Sequence, residues 1–512
     1  MKQQQALAIM HSANLVLLTG AAGSGKTYIL RQFIRQAKST GQSVAVTATT
    51  GLAATHLNGI TIHAWSGIGI HDQLPANHFN KLTKQRRDTI QNTDILIIDE
   101  ISMLHDYRLD LVDQTCKTVR ESDKPFGGLK VILCGDFFQL PPVNRPDSRQ
   151  GAFITSSQSW QEYDFTVCYL SEQYRQQNDQ AYTDILNGIR NGFLTRRQLD
   201  SLQARQQSIT VPFSAQTRLL TTNIDVDAIN LQHLNKINSD GITYSQETTG
   251  SKKYVQQLKN SCLAPEVLEL KKGAHVMCIK NSPDKKFVNG SLGIVQDFEP
   301  ETLYPIVQLN NGRKVTIKPD TWELVDGDKK RASLTQLPLR LAWAITVHKS
   351  QGMTLDSASI DLSRAFVEGM GYVALSRVTS MDALVLEGLN AMALKVSAQA
   401  KLIDTELQAR SDQALIDFGK DISNWQKQQS KINRQIENNK QDTPKSSWAD
   451  KLAYMRQKHP NAYKPWSEDD DKKLVSQFSN GKNIIELSHV LGRHSGSIKA
   501  RLQKHFGEDI FN

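Results

Sequence analysis

The feature that most constrains this chain is the octet Gly20–Ala21–Ala22–Gly23–Ser24–Gly25–Lys26–Thr27. It matches G-x-x-x-x-G-K-[ST], follows the apolar run Leu15–Leu18 and opens a helix-like stretch from Tyr28 to Lys38. In such a strand–loop–helix unit the glycines let backbone N–H groups approach phosphates. The helix N-terminus adds a favourable dipole. Lys26 is then expected to reach terminal phosphates, and Thr27 to hold Mg²⁺. Three further short apolar runs, Val44–Val46, Ile95–Ile98 and Val131–Leu133, read as strands buried on both faces. Helix-like stretches such as Arg108–Arg120 alternate with them, which predicts an α/β layer fold.

Two of these runs end in residues suited to phosphate chemistry. Asp99 and Glu100 follow Ile98, where Asp99 lies beside a phosphate-bound magnesium and Glu100 orients an attacking water. Cys134–Gly135–Asp136 leads to Gln139, which a strand end places to sense a terminal phosphate; a plain polar turn is the other reading.

At 512 residues the chain exceeds the roughly 250–300 residues that one hydrophobic core supports. Residues 164–170 (DFTVCYL) restart the strand pattern, and 215–229 and 340–362 continue it, so two α/β cores are expected, 1–163 and 164–395. Within the second, residues 262–335 carry short β-like segments and an Asn311–Gly312 hairpin signal, the pattern of an inserted small β-barrel. Residues 396–462 read as a helical and polar linker; between Gln426 and Ser447 only Ile432 and Ile436 are aliphatic. In 463–512, Ser467 and Asp470 form a capping-box pattern. Apolar stripes follow at Leu474/Phe478, Ile484/Leu487/Leu491 and Ile498/Leu502/Phe506, a compact trihelical module.

Composition excludes several classes. The five cysteines are widely spaced without a C-x-x-C pair, against a disulfide framework or zinc site and in favour of a reducing compartment. No apolar run approaches the roughly 18 residues of a membrane span, and the N-terminus lacks a signal-peptide core. The formal charge of +9 permits a polyanionic partner. Residues 391–512 hold 20 Lys plus Arg against 15 Asp plus Glu, so over half of the excess lies in under a quarter of the chain.

The motifs together carry a family resemblance. The phosphate loop, DEISM at 99–103 and GDFFQLPPV at 135–143 resemble a superfamily-one DNA helicase of the Pif (petite integration frequency) type, with RecD-like helicases next. TATTGLAA at 47–54, TIHAWSGI at 61–68, SEQYRQ at 171–176, AWAITVHKSQGMTLD at 342–356 and YVALSRVTSMDAL at 372–384 are similar to further motifs of that family, in order over residues 3–395. The resemblance implies two RecA-like P-loop cores with an inserted β-barrel, ATP and Mg²⁺ as cofactors, and Arg175 and Arg377 as arginine fingers. It places Gln351 and Gly352 in the same cleft and Gln3, beside Gln4 and Gln5, at the adenine. For single-stranded DNA it implies Thr50, Gly51, His63, Trp65, Thr346, His348 and Lys349. Lys349 offers charge, and His63 and Trp65 offer stacking faces, although Trp65 reads equally as core packing. A strand-separating wedge is implied within 64–92.

The implied activity is ATP-driven unwinding, 5′ to 3′, by a monomeric motor at junctions of single-stranded and duplex DNA. Its setting would be replication, repair or recombination, in a family linked to telomere maintenance. Residues 463–512 resemble a Myb-like helix-turn-helix with Lys499 and Arg501 on the third helix; DNA contact, protein contact and a solvated charged face stay open. Because the motor motifs begin at Gln3, a bacterial-type cytoplasmic, nucleoid-associated helicase is expected, with no membrane partner. The rival readings are a RecD-like subunit of a nuclease complex, a regulatory DNA-binding ATPase without unwinding activity, and an RNA translocase.

Overall fold

The computed structural model describes residues 1–57, 59–69, 72–75, 77–144, 149–206, 217–262, 264–280, 282, 284, 286–287, 290–326, 329–427 and 448–507. It divides into two compact units, Met1–Ser423 and Asn424–Asn512.

In the larger unit, β1 (Leu15–Gly20), β2 (Val44–Ala48), β3 (Ile60–Thr61), β4 (Ile95–Asp99), β5 (Lys130–Gly135) and β6 (Thr166–Leu170) form one parallel sheet ordered β3-β2-β4-β5-β1-β6. The unbroken apolar runs of β1, β4 and β5 are buried along nearly their whole length, as a sheet covered on both faces requires. Register pairs Leu18 with Cys134 and Ile98 with Leu133. The carboxyl ends of all three strands therefore reach one edge, where open α/β sheets bind ligands.

A second parallel sheet, ordered β18-β7-β19-β20, interrupts its own chain path. After β7 (Thr217–Leu220) come β8 (Gly241–Ser245), β9 (Glu247–Gly250), β10 (Val267–Lys271), β11 (His275–Cys278), β12 (Leu292–Phe298), β13 (Pro305–Leu309), β14 (Lys314–Thr316), β15 (Asp320–Asp326), β16 (Lys329–Gln336) and β17 (Leu339–Leu341). Only then do β18 (Ala344–Thr346), β19 (Ala358–Leu362) and β20 (Leu384–Leu389) complete the sheet. The inserted strands pair antiparallel in three sheets, β14-β13-β12-β11-β17, β15-β16-β9 and β10-β8. Their buried core includes Leu268, Val276, Val307 and Leu339.

Four expectations need correction or comment. The segment expected to open the second core at 164 instead forms β6, pairing Val16 with Thr166 and Gly20 with Leu170 at the edge of the first sheet. A short apolar strand does not name its partner, and here the free edge of β1 takes it. The insertion is wider than 262–335: β8 and β9 pair with β10 and β16, which moves its start back to Gly241. The helix Ala398–Asp417, expected within a linker, packs on β6. Its Ala400, Ile403, Leu407 and Ala414 are buried, Tyr169 N–H donates to Ser411 Oγ (3.2 Å) and the Tyr169 hydroxyl to Asp404 (2.8 Å). Of the polar segment 426–447, residues 428–447 lie outside the described residues, as do 70, 71 and 76 of the expected wedge.

In the smaller unit, helices Glu468–Ser479, Ile484–Leu491 and Ser495–Phe506 enclose Leu474, Leu487, Leu491, Ile498 and Leu502. Asp470 N–H donates to Ser467 Oγ (3.1 Å) and Ser467 N–H to Asp470 Oδ2 (3.3 Å), the reciprocal cap the spacing predicts. No described helix is long and apolar enough to cross a membrane.

Candidate nucleotide and nucleic-acid site

The octet leaves β1 and turns into the helix Lys26–Ser39. Gly23 has φ +86°, and a Cβ there would lie 2.7 Å from the Cβ of Arg175, so both its backbone and its contact require glycine. Lys26 Nζ donates to the carbonyls of Gly20 (2.8 Å) and Ala21 (3.1 Å). Gln3 Nε2 donates to the Ser24 carbonyl (3.1 Å), while Gln5 accepts the Lys2 N–H (2.8 Å) and caps its own helix. Of the three consecutive glutamines, Gln3 is thus the one that reaches the loop.

Asp99 and Glu100 stand at the end of β4. Glu100 is left-handed, with φ +54° and ψ +46°, a conformation costing a non-glycine residue about 1–2 kcal/mol. Two hydrogen bonds hold it there: its N–H donates to Asp99 Oδ1 (2.9 Å) and its carbonyl accepts from Thr49 Oγ1 (2.9 Å). Gln351 Nε2, from the second core, donates to Glu100 Oε2 (3.0 Å). Burial, followed by the neighbouring Asp99 charge, pushes the Glu100 carboxyl up to about 7, and burial also raises Asp99.

Facing the loop are two arginines. Arg175 Nη1 donates to the Ser376 carbonyl (2.7 Å). Arg377 is fully buried and donates to the Val373 carbonyl (2.8 Å) and Ser376 Oγ (2.8 Å). Burial and the like charge of Arg377 bring Arg175 down to about 9. Lys26, Thr27, Glu100, Gln139, Gly352 and both arginines line one cavity of 740 Å³. Three cations beside a glycine loop suit a polyphosphate. Thr27 and Asp99, which line a common adjoining cavity, supply one hydroxyl and one carboxylate. That donor set fits Mg²⁺, which takes its remaining ligands from phosphate and water.

Sequence reading missed a network behind the loop. Buried Asp136 accepts two bonds from Arg190 Nη1 (2.8 and 2.9 Å). Arg190 also donates to the Tyr372 hydroxyl (3.0 Å), which in turn accepts the Ala22 N–H of the phosphate loop (2.9 Å). The Arg190 guanidinium lies 4.1 Å over the Phe138 ring. Burial works to raise Asp136, but Arg190, the Lys26 charge and the Phe138 N–H together more than offset it and hold the carboxyl below its usual range. Tyr372 and Asp136 lie in motifs already recognised, whereas nothing local marks Arg190.

The structure sorts the expected nucleic-acid residues. Thr50 accepts the Ala53 N–H (3.2 Å) and Gly51 starts the short helix Gly51–His56. His348 and Lys349 form the turn His348–Ser350 on the second core. With Thr50 they line a 190 Å³ cavity that also includes Thr27, Asp99, Glu100 and Gln351. His63 bonds Arg108 Nη1 (2.8 Å), and burial, then Arg108, depresses it to about 4, which leaves it neutral.

Three of the expected residues are engaged within the protein. Trp65 is 4% exposed and packs in the first core, so its ring is not a stacking platform. Thr346 is 2% exposed and its hydroxyl accepts the Lys349 N–H (3.3 Å), which shapes the turn. Arg501 bonds Asp471 (2.7 Å) and covers the Trp466 ring at 5.4 Å, and so holds its own module together. Lys499 is exposed on the third helix. One aromatic was not anticipated: Phe366 is 61% exposed, its ring tilted 21° to that of His348 at 6.3 Å.

Comparison with known proteins agrees with this arrangement. A family model described as PIF1-like helicase matches residues 2–199, and one described as the 2B domain of DNA helicase Pif1 matches 253–298. The chain is 41% identical over 487 residues to the ATP-dependent DNA helicase Pif1 of Psychrobacter sp. (strain PRwf-1), covering 82% of this chain and 73% of that one. It resembles the crystal structure of Bacteroides sp Pif1 in complex with ADP-AlF4, with TM-score 0.70, 31% identity, and 80% and 97% of the two chains covered. The Bacteroides Pif1 structure with ADP-AlF3 and ssDNA aligns with TM-score 0.59 and 32% identity, over 81% of this chain and 98% of that one.

Proposed function

Because the chain belongs to the PIF1-like helicase family and is an ATP-dependent DNA helicase, we propose that it translocates 5′ to 3′ on single-stranded DNA and splits duplex at a junction. The placement of the two arginines supports the coupling of hydrolysis to movement of the cores, and the direction follows the family resemblance. Arg377 of the second core meets Arg175, which already touches Gly23 of the phosphate loop, at Ser376, and both line one cavity with that loop. A change in separation of the two cores would therefore change the charge around the phosphates.

Each side chain then has a task. Lys26 holds the terminal phosphates, Gln3 and Ser24 to Thr27 frame the nucleotide, and Thr27 with Asp99 holds Mg²⁺. When bound, that ion neutralises charge on the phosphate oxygens. Glu100 orients the attacking water, Gln139 sits against the phosphate end, and Arg175 and Arg377 stabilise the charge that develops. An arginine finger contributes roughly 10³–10⁵ in rate. Thr50, Gly51, His348 and Lys349 grip the strand on both cores. Alternating grip gives directional stepping, opposed by stacking of about 1.4 kcal/mol per base-pair step.

We assign the motor to a monomer working in replication, repair or recombination in a bacterial-type cytoplasm, associated with the nucleoid. The C-terminal module is read as a Myb-like helix-turn-helix that contacts DNA through Lys499. The deciding measurement compares unwinding of a 5′-tailed and a 3′-tailed duplex, with and without residues 428–512. The 5′ tail should support unwinding in both proteins; unwinding only from the 3′ tail would overturn the assigned direction.

A further inference from the structure

The bond between Gln351 and Glu100 joins the two cores at the point where water must be oriented. Glu100 Oε2 accepts from Gln351 Nε2 at 3.0 Å, and Gln351 is 7% exposed. Glu100 is held in its left-handed conformation by bonds to Asp99 and Thr49, which leaves the direction of its carboxylate to whatever meets the far end. A carboxylate must turn an oxygen toward water to orient it, and here one oxygen is committed to an amide of the opposite core.

Gln351 is also the residue that closes the turn His348–Ser350. Its N–H bonds the His348 carbonyl (3.4 Å), and Lys349 lies two residues before it. Thr50, His348, Lys349, Gln351 and Glu100 line the same 190 Å³ cavity. A strand held by Thr50 and Lys349 would press on the turn that carries Gln351, with only Ser350 between.

We propose that Gln351 is a positioning residue that latches the Glu100 carboxylate until single-stranded DNA engages the His348–Ser350 turn, so that ATP hydrolysis waits for DNA. The proposal rests on the helicase reading above and adds a cause for DNA dependence. The latch is a bond between side chains of two cores, so DNA releases it by shifting the turn and needs no contact with the nucleotide.

The test measures ATP hydrolysis by the full chain, with and without an oligothymidine strand, in wild type, Gln351→Met and Gln351→Glu. Methionine keeps the side-chain length without a donor; glutamate turns a second carboxylate toward Glu100. The DNA-free kcat of both variants should rise about tenfold, the scale of one lost hydrogen bond to a charged group. The ratio of DNA-saturated to DNA-free kcat should fall by about the same factor. The stimulation factor therefore collapses, which a loss of general stability would not produce. A DNA-free rate at or below wild type in both variants overturns the latch, and a fall in both rates would instead mean that Gln351 serves the phosphates. If the wild type itself shows no stimulation by DNA, the helicase reading fails first, and the latch with it.

Discussion

Glu100 bears the sharpest consequences of single-residue placement. Its carboxyl is raised to about 7 by burial and then by Asp99, so the folded protein keeps a proton there that the unfolded chain releases near the ordinary 4.5. Folding loses stability as pH rises through that window and levels off above it. Without nucleotide, Glu100→Gln should therefore melt higher than wild type, and the gap should widen between about pH 5 and pH 8. The same variant should bind ATP yet hydrolyse it roughly 10²–10⁴-fold more slowly, the usual cost of losing a placed acid–base group. A gap in melting temperature that stays constant with pH would show that Glu100 is not the group responsible. Arg190 is the complementary case. Arg190→Ala leaves Asp136 buried without its partner and should cost about 3–5 kcal/mol in urea denaturation. A cost under about 1 kcal/mol, the range of exposed pairs, would contradict the burial of the pair.

At the scale of elements, the helix Ala398–Asp417 matters most, because it seals the edge strand β6. Leu407 is 1% exposed and Leu402 is 75% exposed on the same helix. Leu407→Ala should lower stability by about 2–5 kcal/mol through lost burial and a residual cavity. Leu402→Ala should stay within about 0.5 kcal/mol. Equal effects would mean that the helix does not dock on β6. The sequence marks the helix through its spacing, with Ala400, Ile403, Leu407 and Ala414 on one stripe, but not the surface it covers. β6 has the same limitation. TVCYL at 166–170 reads as a strand wherever it lies, and only the free edge of β1 decides its sheet.

At the scale of the whole chain, charge divides between motor and tail. Residues 428–512 contain 15 Lys plus Arg and 10 Asp plus Glu, a net of +5 out of +9. If the tail tethers DNA, deleting 428–512 should flatten the fall of log K with log salt by at least about 0.7, one phosphate contact on single-stranded DNA. An unchanged slope would place all phosphate contacts on the motor.

The sequence by itself determined what depends on neighbours along the chain. The phosphate loop, the strand ends at Asp99–Glu100 and Asp136, the Ser467–Asp470 cap and the apolar stripes are local patterns, written in backbone freedom, periodicity and residue type. Only the tertiary structure decided what depends on neighbours in space. It gave β6 to the first core, sent Trp65 and Thr346 inside, committed Arg501 to Asp471, and brought Arg190 to Asp136 and Gln351 to Glu100. The physical reason is that an apolar strand or a polar side chain carries no address of its own. Its partner is whichever surface remains unsatisfied once the rest of the chain has packed.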